Sequence, residues 1–380
     1  MWSSKFSVAA AVTLTVAATA APAVAADPWF TPYTSTSIPN GSGPGPAPRG
    51  SAVADFDNDG DPDVVTISNF TLGNILFVPS NGDGTFGATS EIADTVQVQG
   101  LDAGDVNADG NADVVAMTVS EVRIRLGDGA GHFTSAGTYP LTLGGQVEPR
   151  VVDVDSDGDL DIVAPTFTAI QTLINNGSGS FSAGPTSQVL GASVLSAISP
   201  ADLDHDGNAD LFTVDGFSGT TFALRGNGAG GFTVSGQLYG TGFVPEDITA
   251  IDLNDDGYDD VATVGSFSFT LATGLTDGTG KFKKYIADAT QFGGPGPTSA
   301  TAADIDGDGR TDLVVSSLAT PLPKLMVLAG NGTAKMRKVG DFAVGALPQN
   351  PLIADYDGDS DLDVVTVGPG SLSLLRNTAN

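Results

Sequence analysis

The sequence of 380 residues contains no cysteine, which excludes a disulfide framework, a thiol nucleophile and a cysteine-ligated zinc site. Cations are scarce too: 15 Lys and Arg stand against 45 Asp and Glu, a formal charge of −30. So acidic a chain cannot follow a phosphate backbone, and nucleic acid is excluded as a partner. Glutamate is nearly missing from the acidic set. Only Glu91, Glu121, Glu148 and Glu246 are present, and the other 41 acids are aspartate. Helical faces favour glutamate, whereas the short aspartate carboxylate folds back on the backbone of turns, so the charge belongs to loops. Catalytic signatures are also absent: there is no GxSxG elbow, HExxH helix or phosphate loop. The two histidines, His132 and His205, read as surface-turn residues.

What is abundant is glycine, 50 residues against a usual share near 7%, and the pattern is repetitive. Before it comes a separate segment, residues 1–26, in which Lys5 precedes a small apolar stretch and the site Ala23-Val24-Ala25. That is the layout of a secretory signal peptide, so the chain is expected to be exported to the extracellular space. No later apolar run reaches the roughly 18 residues of a membrane span, so a soluble monomer is expected.

From Asp55 the sequence reads DFDNDGDPD, from Asp105 DVNADGNAD, from Asp153 DVDSDGDLD and from Asp202 DLDHDGNAD. DLNDDGYDD follows from Asp252, DIDGDGRTD from Asp304 and DYDGDSDLD from Asp355, with successive starts 48 to 52 residues apart. Each nonapeptide runs into a β-branched stretch such as Val64-Val65-Thr66-Ile67, which reads as a buried strand. About 20 residues on comes a glycine turn ending in Phe86, Phe133, Phe181, Phe232 or Phe282, with Met336 in the sixth copy. A unit is therefore strand, acidic loop, strand, variable loop, strand, glycine turn, strand. Seven such units predict an all-β fold, a seven-bladed β-propeller of four-stranded antiparallel blades. The seventh unit stops at Asn380 before its fourth strand, and residues 27–40 contain a strand without the preceding three. The N-terminal strand is thus expected to complete the last blade and close the ring, so that 27–380 form one propeller.

Thirty-one of the 41 aspartates fall in the seven nonapeptides. Carboxylates so crowded repel unless a cation sits among them. Oxygen ligands at alternating positions with a final acid suit a hard ion of high coordination number, calcium rather than magnesium. An EF-hand is excluded, because position 12 holds Thr66, Ala116, Ala164, Thr213, Thr263, Val315 and Thr366 instead of a bidentate Glu.

These units resemble FG-GAP (VCBS) repeats, the blades of the integrin α-subunit propeller. The resemblance implies calcium ligation through positions 1, 3 and 5, the carbonyl of 7, and 9, at up to seven sites. In the first loop these are Asp55, Asp57, Asp59, Asp61 and Asp63, and in the second Asp105, Asn107, Asp109, Asn111 and Asp113. The third offers Asp153, Asp155, Asp157, Asp159 and Asp161, and the fourth Asp202, Asp204, Asp206, Asn208 and Asp210. The fifth has Asp252, Asn254, Asp256, Tyr258 and Asp260, and the sixth Asp304, Asp306, Asp308, Arg310 and Asp312. The seventh has Asp355, Asp357, Asp359, Asp361 and Asp363. Asn107 and Asn254 keep an oxygen but lose charge, so their sites are expected to be weaker. Ser360 replaces the glycine of position 6 and is expected to be strained.

With nearly all paired carboxylates committed to metal, the expected function is non-enzymatic: a binding or adhesion module for an extracellular glycan or protein. The alternative is an extracellular polysaccharide lyase or other carbohydrate-active propeller enzyme. Phe70, Phe167, Phe217 and Phe267 recur six or seven residues past the last loop acid and either mark a ligand face on the variable turns or cap the strand ends. The basic group Lys281, Lys283, Lys284, Lys335, Arg337 and Lys338 reads as solvated strand surface, with contact to an acidic polymer as the alternative.

Overall fold

The computed structural model describes residues 29–39, 50–67, 74–92, 96–142, 144, 147–240, 245–265, 270–288, 296–318 and 323–378. The expected export segment 1–26, Phe70 and Phe267 lie outside them. Among the described residues, twenty-eight strands form seven four-stranded antiparallel sheets. Blade two shows the plan: Val98–Gly104, Asp113–Thr118, Glu121–Gly127 and Phe133–Pro140, paired in that order. The first strands of successive blades lie side by side around the axis, and that of blade seven, Gln349–Ala354, meets that of blade one, Ser51–Ala54.

The second strand of each blade is buried on both faces, from Asp63–Ile67 in blade one to Asp363–Gly368 in blade seven. Its β-branched run has no polar alternation because neighbouring blades cover it on either side. The apolar core accordingly divides into seven clusters, one at each seam between adjacent blades. Outer strands are mostly exposed, and those of blades five and six carry Lys283, Lys284 and Lys338, charges that discourage edge pairing. Lys338 also pairs with Asp341 at 2.7 Å.

The ring closes as the truncated ends require. Thr34–Ser37 pairs antiparallel with Ser371–Leu375, Thr34 opposite Leu374 and Ser37 opposite Ser371. The pairing extends outward through Thr31 N–H to the Arg376 carbonyl (2.9 Å) and Thr378 N–H to the Trp29 carbonyl (2.7 Å). Trp29 and Phe30 are buried in the seam between blades six and seven, Phe30 edge-on to Phe342 at 5.2 Å. Replacing Phe30 by Ala is expected to cost about 3–5 kcal/mol, the usual loss for a buried phenylalanine. Urea unfolding measures it, and a loss below about 1 kcal/mol would mean the N-terminal strand does not lock the ring.

Candidate metal centres

Each acidic loop joins the first and second strands of a blade, and its last aspartate begins the second strand. That aspartate is buried in all seven blades and holds two backbone groups at once. One oxygen accepts the N–H of loop position 2 at 2.9–3.3 Å. The other accepts an N–H at the end of the third strand, from Ser80, Gly127, Asn175, Gly226, Thr276, Gly330 or Asn377, at 2.7–2.9 Å. Position 9 is therefore first a staple between loop and blade, a role its acidity alone did not disclose.

Backbone bonds orient the remaining acids. The position-5 carboxylate accepts the N–H of position 7 in every loop, at 2.9–3.1 Å. In six loops the position-1 carboxylate accepts the N–H of position 6, at 2.8–3.1 Å. Position 6 is left-handed throughout, from φ 97° at Gly60 to φ 77° at Ser360. Ser360 follows the six glycines and carries a strain of about 1 kcal/mol. Position 4 is left-handed as well, at Asn58, Ala108, Ser156, His205 and Asp255, which the sequence reading missed. Its signal was Gly307 and Gly358 at the same place in the last two loops.

The result is a set of carboxylates turned toward one another. Ligand atoms of Asp55, Asp57 and Asp63 lie within 4.8 Å of each other, as do those of Asp153, Asp155 and Asp161, and of Asp202, Asp204 and Asp210. The same holds for Asp304, Asp306 and Asp308, and for Asp355, Asp357 and Asp359. Buried oxygens of Asp55, Asp57, Asp155, Asp304 and Asp357, all at positions 1 and 3, have no hydrogen-bond partner. Such oxygens are costly unless a cation meets them, so the donor set fits a hard divalent ion. Loops two and five differ: Asn107 donates to Asp109 (2.9 Å) and Asn254 to Asp260 (3.0 Å), satisfying part of the cluster internally.

Neighbouring blades brace the loops. The residue at position 2 is large or β-branched and buried every time, from Phe56 to Tyr356, a periodic signal that the acids overshadow. The next blade's glycine turn caps it: Gly131 N–H reaches the Phe56 carbonyl (3.2 Å) and Phe133 packs edge-on to Phe56 at 5.6 Å. Position 7 turns its side chain outward to position 4 of the preceding loop. Asn111 accepts from Asn58 (2.7 Å), Asn208 from Ser156 (3.3 Å), Tyr258 stacks on His205 (4.4 Å) and Arg310 meets Asp255 (3.1 Å). Where position 4 is Ala108, Gly307 or Gly358, the facing residue is Asp159, Asp361 or Asp61. The turn glycine lies over this side chain, and a Cβ on Gly177 would collide with Asp159.

At the opposite end lie the variable turns and the blade-to-blade connections. Phe167 and Phe217 are exposed there, and so are Val119, Leu190, Tyr239 and Leu347. Phe167 and the Val119 carbonyl both border Gly144, the Phe167 carbonyl accepts from Leu195, and Tyr239 bonds Gln237, which donates to the Leu190 carbonyl at 3.5 Å. The channel mouth at this end holds a cavity of ≈ 40 Å³ bordered by Glu148, Arg150, Asp247 and Asn350. Glu148 binds Arg150 at 3.0 Å and Asn350 across the ring. Burial pushes Asp102 and Asp247 up to about 6, but both accept backbone N–H groups and tie adjacent first strands together. His132 is exposed beside Asp128 at 3.2 Å.

Burial also raises the stapling aspartates, to about 7 for Asp63, Asp113, Asp260, Asp312 and Asp363 and about 6 for Asp161 and Asp210. Because these values exceed the unfolded value near 3.9, the metal-free fold binds protons that the unfolded chain releases. Metal-free protein should thus melt at a higher temperature at pH 5.5 than at pH 7.5. A lower melting point at pH 5.5 would show that the carboxylates are stabilised as anions without metal.

Among curated proteins none matches this chain. A solved Agrocybe aegerita lectin, described for its specific recognition of non-reducing terminal N-acetylglucosamine, is 19% identical, with 87% of this chain and 85% of that one covered and a TM-score of 0.55. BBS1N in complex with ARL6DN, solved with mercury and with lead, is 12% identical, with 92% of this chain and 97% of that one covered and a TM-score of 0.63. At such identities the likeness is one of fold. The FG-GAP-like repeat model matches residues 55–116, 105–164, 153–213, 202–263 and 252–315, and with its seven blades the chain belongs to the FG-GAP-like repeat family.

Proposed function

We propose that this protein is a secreted, calcium-stabilised, non-enzymatic module that binds an extracellular glycan with the end of the ring opposite its acidic loops. The observation that carries the reading is the placement of exposed apolar side chains. Phe217, Leu190 and Tyr239 are 74%, 76% and 70% exposed, and they share that end with Phe167. Exposed rings beside polar turns suit the apolar face and hydroxyls of a sugar. A lectin of similar build, described for recognition of terminal N-acetylglucosamine, is in line with a glycan ligand.

Calcium would be held by positions 1, 3 and 5, the carbonyl of 7, and 9, and would supply the positive charge that the facing carboxylates lack. Secretion rests on the pattern of residues 1–26, and extracellular calcium modules work at millimolar metal, which that compartment provides. No helix among the described residues is long and apolar enough to cross a membrane.

A glycan array in calcium, with wild type and Phe217→Ser, tests the reading. Wild type should bind a defined glycan group, and the variant should bind it about tenfold more weakly at unchanged melting temperature. An array without binding, beside capture of a culture-fluid protein, would replace the glycan by a protein. New ultraviolet absorbance from an acidic polysaccharide would replace the binder by a lyase.

A further inference from the structure

The seven loops do not present equal sites, and the difference comes from the third strand. One residue before the N–H that meets the stapling aspartate stand Pro79, Leu126, Ile174, Leu275 and Ala329 in blades one, two, three, five and six. In blades four and seven the same place holds Arg225 and Arg376. Both guanidinium groups reach into their own blade's acidic loop. Arg225 pairs with Asp204 at position 3 and lies 3.5 Å from Asp206 at position 5. Arg376 lies 3.6 Å from Asp357, again at position 3, while its other nitrogen donates to the Asp83 carbonyl of blade one at 2.8 Å.

The first, third and sixth loops leave oxygens of Asp55, Asp57, Asp155 and Asp304 buried and unmatched. Among the described residues, the seventh loop likewise leaves one oxygen, of Asp357, whereas the second, fourth and fifth leave none. A guanidinium so placed is an always-charged counter-ion beside a position-3 carboxylate.

We propose that Arg225 and Arg376 are internal counter-ions that hold loops four and seven in shape without metal and compete with a divalent cation for Asp204 and Asp357. The proposal rests on the calcium reading above and adds a ranking to it. Loops one and three bind most tightly, loop six less so because Arg310 already meets its position-5 Asp308 at 3.2 Å, and loops four and seven bind only as the arginine withdraws. Opposite signs of effect follow: removing an arginine weakens the metal-free fold and strengthens the metal site.

The test is calorimetric titration of the full chain with calcium chloride, together with melting of the metal-free protein. Arg225→Leu and Arg376→Leu carry the residue that blades two and five have at this place. Each variant should gain about tenfold or more in affinity at one site, and its metal-free melting temperature should fall. Ile174→Arg is the reciprocal change: it should weaken one tight site about tenfold and so tests the idea even if the leucine variants fold poorly. Wild type that binds calcium, with affinities and metal-free melting unmoved by all three changes, would overturn the proposal. Wild type that binds no calcium would overturn the calcium reading itself.

Discussion

A buried carboxylate that holds two backbone N–H groups is the constraint on which each blade depends. At Asp63, Asp113, Asp161, Asp210, Asp260, Asp312 and Asp363 it fixes the start of the second strand to both the loop before it and the end of the third strand. With those ends pinned, the loop has little freedom, and its other acids must face inward. The like charges this gathers are the cost of the geometry, which the proposed cation would offset. Loops two and five offset it in part with an asparagine amide, and loops four and seven with an arginine.

The two ends of the ring thus divide the work. At the acidic end loops one, three, five and seven are braced by a backbone bond from the next blade's turn and, at four seams, by a contact between positions 4 and 7. At the other end the strands are already held, so turns can carry exposed rings such as Phe217 without endangering the fold. Recognition on turns set on a rigid ring is the arrangement expected of a binding module.

Fold and loop positions were legible because the repeat samples one pattern seven times, so that Asp, Gly and Phe positions stand out against changing neighbours. The missing fourth strand of blade seven was legible for the same reason. What escaped depends on contacts between repeats. The left-handed position 4 is shared by Asn58, Ala108, Ser156, His205 and Asp255, which have no common side-chain chemistry. Arg225 and Arg376 look like ordinary strand cations until the strand places them beside Asp204 and Asp357. The Glu148–Asn350 contact joins residues 202 apart and exists only once the ring closes.

The central claim, that divalent cations complete the acidic loops, is tested most directly by melting the protein with about 1 mM calcium and again with excess chelator. At a dissociation constant near 0.1 mM, each filled site adds about 1.4 kcal/mol, so several filled sites match the net stability of a typical domain. A steep fall in melting temperature on chelation is predicted, reversed by added calcium. An unchanged melting temperature would mean that the loops hold their shape through the stapling aspartates alone and bind no ion.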